Sequence, residues 1–255
     1  MDDTTGSPGA HGTGPGAIAP DGSAVEFYAA LPPGDGDAAL VHGALRPGAT
    51  VLDLGAGAGR VTLPLAALGH PVVAVDESPG MLARIDAAGA AGVWTVRSRI
   101  QDLDLGERFG GVLLMSFLIC YGPREELLRA CHRHLDDDGV LVVQRESPAW
   151  FDAAAPSQWE RDGVRYRLFD VRRPAADLLT ASIEYSTGGR TWVHTFTSRR
   201  LADHDLNGTL ARAGLHFGRF LDDGRTWFTA HRAPPTAHRP PRTGRRAPDA
   251  ATGRD

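Results

Sequence analysis

The chain contains no lysine: all 27 of its basic residues are arginine. Together with heavy use of alanine, glycine and proline, this is the composition of a GC-rich genome and says nothing about activity. Cysteine is nearly absent. Cys120 and Cys131 are too few for a disulfide framework, and they do not stand at a paired metal-ligand spacing. No apolar run approaches the length of a membrane span. The opening stretch MDDTTGSPGAHGTGPGAIAP lacks the basic start and apolar middle of a secretory signal. There is no internal repeat. The expectation is a cytoplasmic protein with no membrane association.

What is there is enough for one large domain, or a domain with a lid: 255 residues, 42% of them apolar. The net charge of −4 is unevenly spread. Residues 231–255 hold six arginines against two aspartates, a surplus of four positive charges, so the rest of the chain carries about −8. A nucleic-acid binder more often carries its basic charge on the folded body, so nucleic acid is not expected as a partner. Residues 1–20 and the Arg/Pro-rich tail 233–255 read as disordered.

Between those ends the pattern is regular. Residues 24–31 and 37–45 read as helices, the first stopped by Pro32 and Pro33. Strands at 50–54, 71–76, 93–98, 109–117 and 139–146 then alternate with helices at 59–69, 78–89 and 123–135. Ser78 suits an N-cap, with Pro79 at the first helical position. Such alternation predicts an α/β fold, a parallel sheet covered on both faces. After residue 146 the pattern becomes three strands, 164–174, 178–187 and 190–200, the last two joined at Gly188-Gly189. A helix at 203–214 and an antiparallel pair at 215–222 and 226–232 close the chain. The expected organisation is a cofactor-binding core at 21–146, an antiparallel β lid at 147–200 inserted after the fifth strand, and the end of the core at 201–232.

The stretch VLDLGAGAGR, residues 51–60, carries the functional signal. A strand runs into a glycine turn and then a helix, as in nucleotide-binding folds. A dinucleotide site wants G-x-G-x-x-G, but here the glycines are Gly55, Gly57 and Gly59, and Arg60 fills the slot for the third. Asp53, two residues before the turn, would repel a pyrophosphate and attract an ammonium. S-adenosylmethionine has an ammonium, a sulfonium and no phosphate. Asp76, ending the second strand, suits ribose hydroxyls. Asp102 follows the third strand, where an acid can accept from an adenine amino group, and Met81 can pack on the adenine face.

With these residues in place, the chain resembles the class I S-adenosylmethionine-dependent methyltransferases. The likeness is close over residues 46–146 and looser elsewhere. VLDLGAGAGR is similar to that family's glycine-rich motif, VVAVDESPGML to its ribose motif, RIQDLDL to its adenine motif, and FGGVLLMSFLICYG to its fourth motif. Four such motifs in order, each at a strand's carboxyl end, are a specific signal. The resemblance implies a Rossmann-like seven-stranded sheet with helices on both faces and the last strand antiparallel. It also implies cofactor contacts at Asp53, Gly55, Ala56, Gly57, Asp76, Glu77, Met81, Gln101, Asp102 and Ser116. A second, narrower likeness lies around VLVVQRESPAW. It is to the methyltransferases of daptide-type ribosomal peptide pathways, which dimethylate a peptide's terminal amine.

Methyl transfer is an in-line displacement that needs a positioned lone pair rather than a covalent enzyme intermediate. The acceptor site should lie under the lid. Residues 150–200 hold eight of the chain's eighteen aromatics. About half should be the lid's own core and the rest pocket wall. Trp192, His194 and Phe196 share a strand face by alternation, so His194 is a candidate base. Glu146, ending the fifth strand, is another, able to bind a substrate ammonium and take its proton, or equally to pair with Arg145 or Arg99. Tyr121 completes the catalytic candidates. Tyr28, Tyr121, Trp150, Trp192 and His194 are the expected substrate contacts. His132 and His134 diverge on a helix and read as surface residues. No acids cluster like the divalent-metal site of catechol-type O-methyltransferases, so no metal is expected. The Asn/Asp-Pro-Pro-Tyr/Phe tetrapeptide of enzymes that methylate nucleic-acid amino groups is absent. The expected acceptor is an amine or hydroxyl of a small molecule or peptide in bacterial natural-product tailoring. A small aromatic or sugar O-methyltransferase and a non-catalytic cofactor-binding scaffold stay open as alternatives, as does the oligomeric state.

Overall fold

The computed structural model describes residues 10–234; the expectations for residues 1–9 and 235–255 lie outside that range. In chain order the elements are β1 (His11–Thr13), α1 (Val25–Ala30), α2 (Asp35–Ala44), β2 (Val51–Leu54), α3 (Thr62–Ala67), β3 (Val72–Asp76), α4 (Pro79–Ala88) and β4 (Val93–Arg97). A single 3-10 turn (Ile100–Asp102) leads to β5 (Phe109–Leu114), α5 (Leu118–Tyr121), α6 (Arg124–His134), β6 (Leu135–Gln144) and α7 (Pro148–Ala153). Then come β7 (Ser157–Arg161), β8 (Val164–Ala175), β9 (Leu178–Thr187), β10 (Arg190–Arg199), α8 (Asp203–Arg212), β11 (Leu215–Phe220) and β12 (Trp227–Arg232). No helix among the described residues is long and apolar enough to cross a membrane.

Seven strands form one sheet in the order β11-β12-β6-β5-β2-β3-β4. Strands β2 to β6 run parallel, and β12 is antiparallel to both its neighbours. The expected α/β fold with an antiparallel last strand is therefore the observed one. Val51, Leu52 and Leu54 of β2 and Val112, Leu113 and Leu114 of β5 are fully buried, because helices cover both faces of a parallel sheet. α4 starts as predicted: Ser78 Oγ accepts from the Met81 amide at 3.3 Å and Pro79 follows the cap. It stops at Gly89, whose left-handed backbone (φ 59°) glycine takes without steric cost. β6 begins at Leu135, directly after α6, rather than at Gly139. His134 is not a surface residue. It is fully buried, its Nδ1–H donating to the Ala130 carbonyl and its Nε2 accepting from the Leu105 amide.

The lid has more strands than the sequence suggests. It is a five-stranded antiparallel sheet in the order β1-β10-β9-β8-β7. Of its two extra strands, β7 is an exposed edge of mostly polar residues. The other, β1, comes from the segment expected to be disordered. Residues 10–20 are instead a strap. Gly12 packs so closely on the chain that a Cβ there would lie 1.9 Å from the Gly22 carbonyl oxygen. The glycines that read as disorder are what let the segment fold back on itself. Trp192 Nε1 donates to the Pro15 carbonyl at 2.8 Å, and Ala19 packs with Val25 and Met81 on the core side. Both lid crossings are tied by arginine. Arg200 reaches Asp152 through two bonds of 2.8 and 2.7 Å, and Arg124 holds the Arg199 carbonyl at 2.8 Å. Arg145, fully buried, donates to the Arg225 and Leu201 carbonyls and to Asp203.

Candidate active site

The glycine turn opens at the carboxyl end of β2, the middle of the sheet. The Gly55 and Ala56 amides both donate to the Val75 carbonyl, at 2.8 and 2.9 Å, which bends the chain sharply out of the strand. Gly55 (φ 74°) and Gly57 (φ 56°) are left-handed, and a Cβ at Gly55 would sit 2.5 Å from Leu118 Cδ1. Side chains larger than hydrogen are thus excluded at Gly55 by both backbone and contact. Asp53 lies beneath the turn and is 1% exposed. Its Oδ2 accepts from the Thr62 hydroxyl at 2.6 Å, while the buried Oδ1 has no hydrogen-bond partner. Burial pushes the Asp53 carboxyl up to about 6, against the pull of the Thr62 bond. A buried carboxylate oxygen without a donor costs free energy, and an ammonium is the group that would satisfy it. The residues here fit S-adenosylmethionine in that respect.

Asp76 stands at the end of β3, as expected. Its Oδ2 accepts from the Gly57 amide (2.9 Å) and its Oδ1 from the Ser78 amide (2.8 Å), so the acid and the glycine turn hold one another. Burial raises the Asp76 carboxyl despite these bonds, and burial followed by the Asp21 charge raises Glu77. Met81 is buried against Ala19 and Val25, beneath the strap. Gln101 and Asp102 sit in the 3-10 turn; Asp102 is exposed and 3.9 Å from Arg99.

On the other side of the turn, β5 is followed, after Met115, by Ser116 (φ 51°) and Phe117 (φ 62°), and the Ser116 amide donates to Gln144 Oε1 at 2.9 Å. Short α5 follows and delivers Tyr121, whose hydroxyl donates to Glu146 Oε1 at 2.6 Å. The Ser198 hydroxyl donates to Glu146 Oε2. Glu146 is buried, and burial pushes its carboxyl up to about 7, partly offset by these two bonds. It pairs with neither Arg145, which goes to Asp203, nor Arg99. Burial first, then the neighbouring Glu146 charge, holds the Tyr121 phenol well above its ordinary value.

The lid contributes differently from expectation. Trp192 is not pocket wall: it is 2% exposed and packs with Phe27 and Tyr185 where lid, strap and α1 meet. His194 Nε2–H donates to the Asp21 carbonyl at 3.1 Å, which ties it to the strap rather than to Glu146, and burial lowers its pKa. Tyr28 lies in the same junction, its hydroxyl raised by burial and by Asp21. Trp150 is 37% exposed on α7, apart from the others. Of the eight lid aromatics, Phe151, Tyr185, Trp192 and Phe196 are buried, the half expected as core. The sequence reading missed Ser198, Thr62 and Gln144. Ser198 was the most accessible to it, since it continues the Trp192–His194–Phe196 face by one more alternation.

A parallel sheet closed by an antiparallel strand, with a glycine turn and acids at the ends of β2 and β3, defines the fold of the class I S-adenosylmethionine-dependent methyltransferases. Residues 51–139 match the model of the methyltransferase domain family. Two curated relatives match part of the chain. The ubiquinone biosynthesis O-methyltransferase of Azorhizobium caulinodans is 30% identical over 105 residues, 39% of this chain and 42% of that protein. The cypemycin N-terminal methyltransferase of a Streptomyces species is 34% identical over 145 residues, 52% of this chain and 59% of that protein. The chain thus spans about two fifths to three fifths of the length of these relatives. The solved CcbJ methyltransferase of Streptomyces caelestis superposes with a TM-score of 0.67 at 26% identity, over 81% of this chain and 92% of that one.

Proposed function

We propose that this chain transfers methyl groups from S-adenosylmethionine to the nitrogen of an amine, borne by a small molecule or by the first residue of a peptide. The setting we assign is bacterial natural-product tailoring in the cytoplasm. The observation that carries the reading is the pair of buried carboxyls on either side of the glycine turn. Asp53 has one oxygen without a donor, and Glu146 is held between Tyr121 and Ser198. The likeness to an N-terminal methyltransferase supports nitrogen as the acceptor atom.

When bound, S-adenosylmethionine supplies an electrophilic methyl on a sulfonium that leaves as a neutral thioether. Asp53 would hold its ammonium, the Gly55–Gly57 turn its backbone, and Asp76 its ribose hydroxyls. Glu146 has the task of the base. An acceptor amine arrives as an ammonium and must lose a proton before its lone pair can attack. Glu146, with its carboxyl near 7, is matched to that transfer at neutral pH. The Tyr121 hydroxyl can accept a hydrogen bond from the acceptor nitrogen while donating to Glu146, and so relay the proton. Ser198 keeps the carboxylate oriented. Phe196, 5.3 Å from the Tyr121 ring, helps exclude water from this pair.

The test is a calorimetric titration with S-adenosylmethionine, with NAD as control, followed by mass spectrometry of amines, N-terminal peptides and hydroxyl acceptors incubated with both. Micromolar binding of the first ligand only, with gains of one or two methyl groups on amines, is the expected result. Methylation confined to hydroxyls would replace this reading with the O-methyltransferase one. Binding without transfer to any acceptor class would favour a scaffold.

A further inference from the structure

Ser116 and Phe117 are successive non-glycine residues in the left-handed region, with φ of 51° and 62°. Side chains with a Cβ take that conformation at a steric cost, and two in a row are rarer still. The chain has 31 glycines and places none at this corner. What holds the corner is local: the Leu118 amide donates to the Met115 carbonyl at 3.1 Å, the Cys120 amide to the Phe117 carbonyl at 2.7 Å, and the Ser116 amide to Gln144 Oε1 at 2.9 Å.

Gln144 is the last residue of β6 and half-buried. The Arg145 amide continues the strand pairing by donating to the Thr226 carbonyl at 2.8 Å, so Gln144 and Glu146 alternate onto one side. Both reach the segment that follows β5, Gln144 at Ser116 before α5 and Glu146 at Tyr121, the last residue of α5. Holding the Ser116 N–H needs only an acceptor oxygen, which a glutamate would also provide. The amide instead adds no second charge beside Glu146 and brings two N–H donors. With Oε1 committed to Ser116, Nε2 has no acceptor among the described residues.

We propose that Gln144 is a specificity-determining residue of the acceptor site, its Nε2 donating to a carbonyl oxygen on the carbon next to the one bearing the amine. Resting on the amine-methylation reading above, this narrows the acceptor to an α-aminoacyl group: Glu146 and Tyr121 take the nitrogen, and Gln144 takes the oxygen three bonds further on. A simple alkylamine lacks that oxygen and leaves the donor unpaired, which a hydrogen-bonding site penalises.

The experiment compares alaninamide, alaninol and isopropylamine as acceptors for the wild type, Gln144→Glu and Gln144→Leu. The wild type should prefer alaninamide over isopropylamine by on the order of ten- to hundredfold in kcat/KM, with alaninol, whose hydroxyl oxygen also accepts, between them. Gln144→Glu keeps the Ser116 contact. It should bind S-adenosylmethionine within about threefold of wild type, yet lose the preference mainly through a raised KM for alaninamide. Gln144→Leu gives up the corner as well and should weaken cofactor binding too. If the wild type methylates none of the three amines or any N-terminal peptide, the functional reading itself fails. If it methylates them and Gln144→Glu keeps the preference, or if isopropylamine serves as well as alaninamide, this inference alone is overturned.

Discussion

Replacing Glu146 by glutamine should make the protein more stable in base and less active everywhere. Burial lifts this carboxyl from 4.5 to about 7. Each pKa unit corresponds to about 1.4 kcal/mol, so the ionised carboxylate costs the folded state about 3 kcal/mol relative to the unfolded chain. Because the folded pKa is the higher one, the folded state binds the proton more tightly. Stability is full below about pH 4.5 and is lost as pH rises through about 7. Glutamine has no charge to bury, can accept from Tyr121 through its oxygen, and can donate to Ser198 through its nitrogen. Urea unfolding of both proteins from pH 5 to 8.5 isolates the effect, because Asp53 and the other groups titrate in each. The difference in stability should grow in favour of Glu146→Gln with increasing pH, reaching about 3 kcal/mol at pH 8.5. Over the same range the wild-type kcat should rise through about pH 7, and the variant should fall by about 10²- to 10⁴-fold. A stability difference that stays flat between pH 5 and 8.5 would refute the reasoning, since it would mean no buried charge forms at this position.

Other expectations follow from single contacts. Asp53→Ala should weaken S-adenosylmethionine binding by more than about tenfold through loss of a charged contact; a calorimetric affinity within threefold of wild type would remove Asp53 from the ligand set. Because burial sets the Asp53 carboxyl at about 6, wild-type affinity for the cofactor should fall as pH drops below that value, and titrations at pH 5 and 8 read it directly. Arg145→Leu leaves the Arg225 and Leu201 carbonyls without their guanidinium donor where lid, core and α8 meet, and should cost about 1–3 kcal/mol in chemical denaturation. Gly12→Val cannot fit against the Gly22 carbonyl and should unseat the strap. Hydrogen exchange at Val193–Thr195, the strand facing β1, should speed up while β2 and β5 stay protected.

The parts of this fold that were legible in the sequence are those whose burial is two-sided and local. β2 and β5 announce themselves as short apolar runs because helices cover both faces, and the Ser78-Pro79 cap and Gly89 stop can be read from three residues. The glycine turn and its flanking acids have fixed spacing, so Asp53 and Asp76 fell where expected. What the sequence concealed depends on distant partners. β1 has three residues and no periodicity of its own; it exists because β10 offers a free edge. β7, SQWER, is polar except for Trp159, with every residue exposed, because it is an edge. His134 looked exposed because neighbouring positions on α6 are charged, but the loop at Leu103–Leu105 covers that turn of the helix. Glu146 was a candidate whose expected partners were Arg145 or Arg99, since nothing local indicates that Ser198, 52 positions on, closes the site with it.

The strap carries a consequence for how the molecule is made. Its two side-chain anchors join positions 177 and 173 residues apart, Trp192 to Pro15 and His194 to Asp21. Closing a loop of that length from an unfolded chain is entropically slow, so the strap gains its place only once the core sheet and the lid hairpins have drawn β10 into position. Its residues precede β10 in the chain, so they are made well before the partner they need. β1 thus waits for β10, and it completes a sheet whose other strands, β7 to β10, all lie far downstream of it.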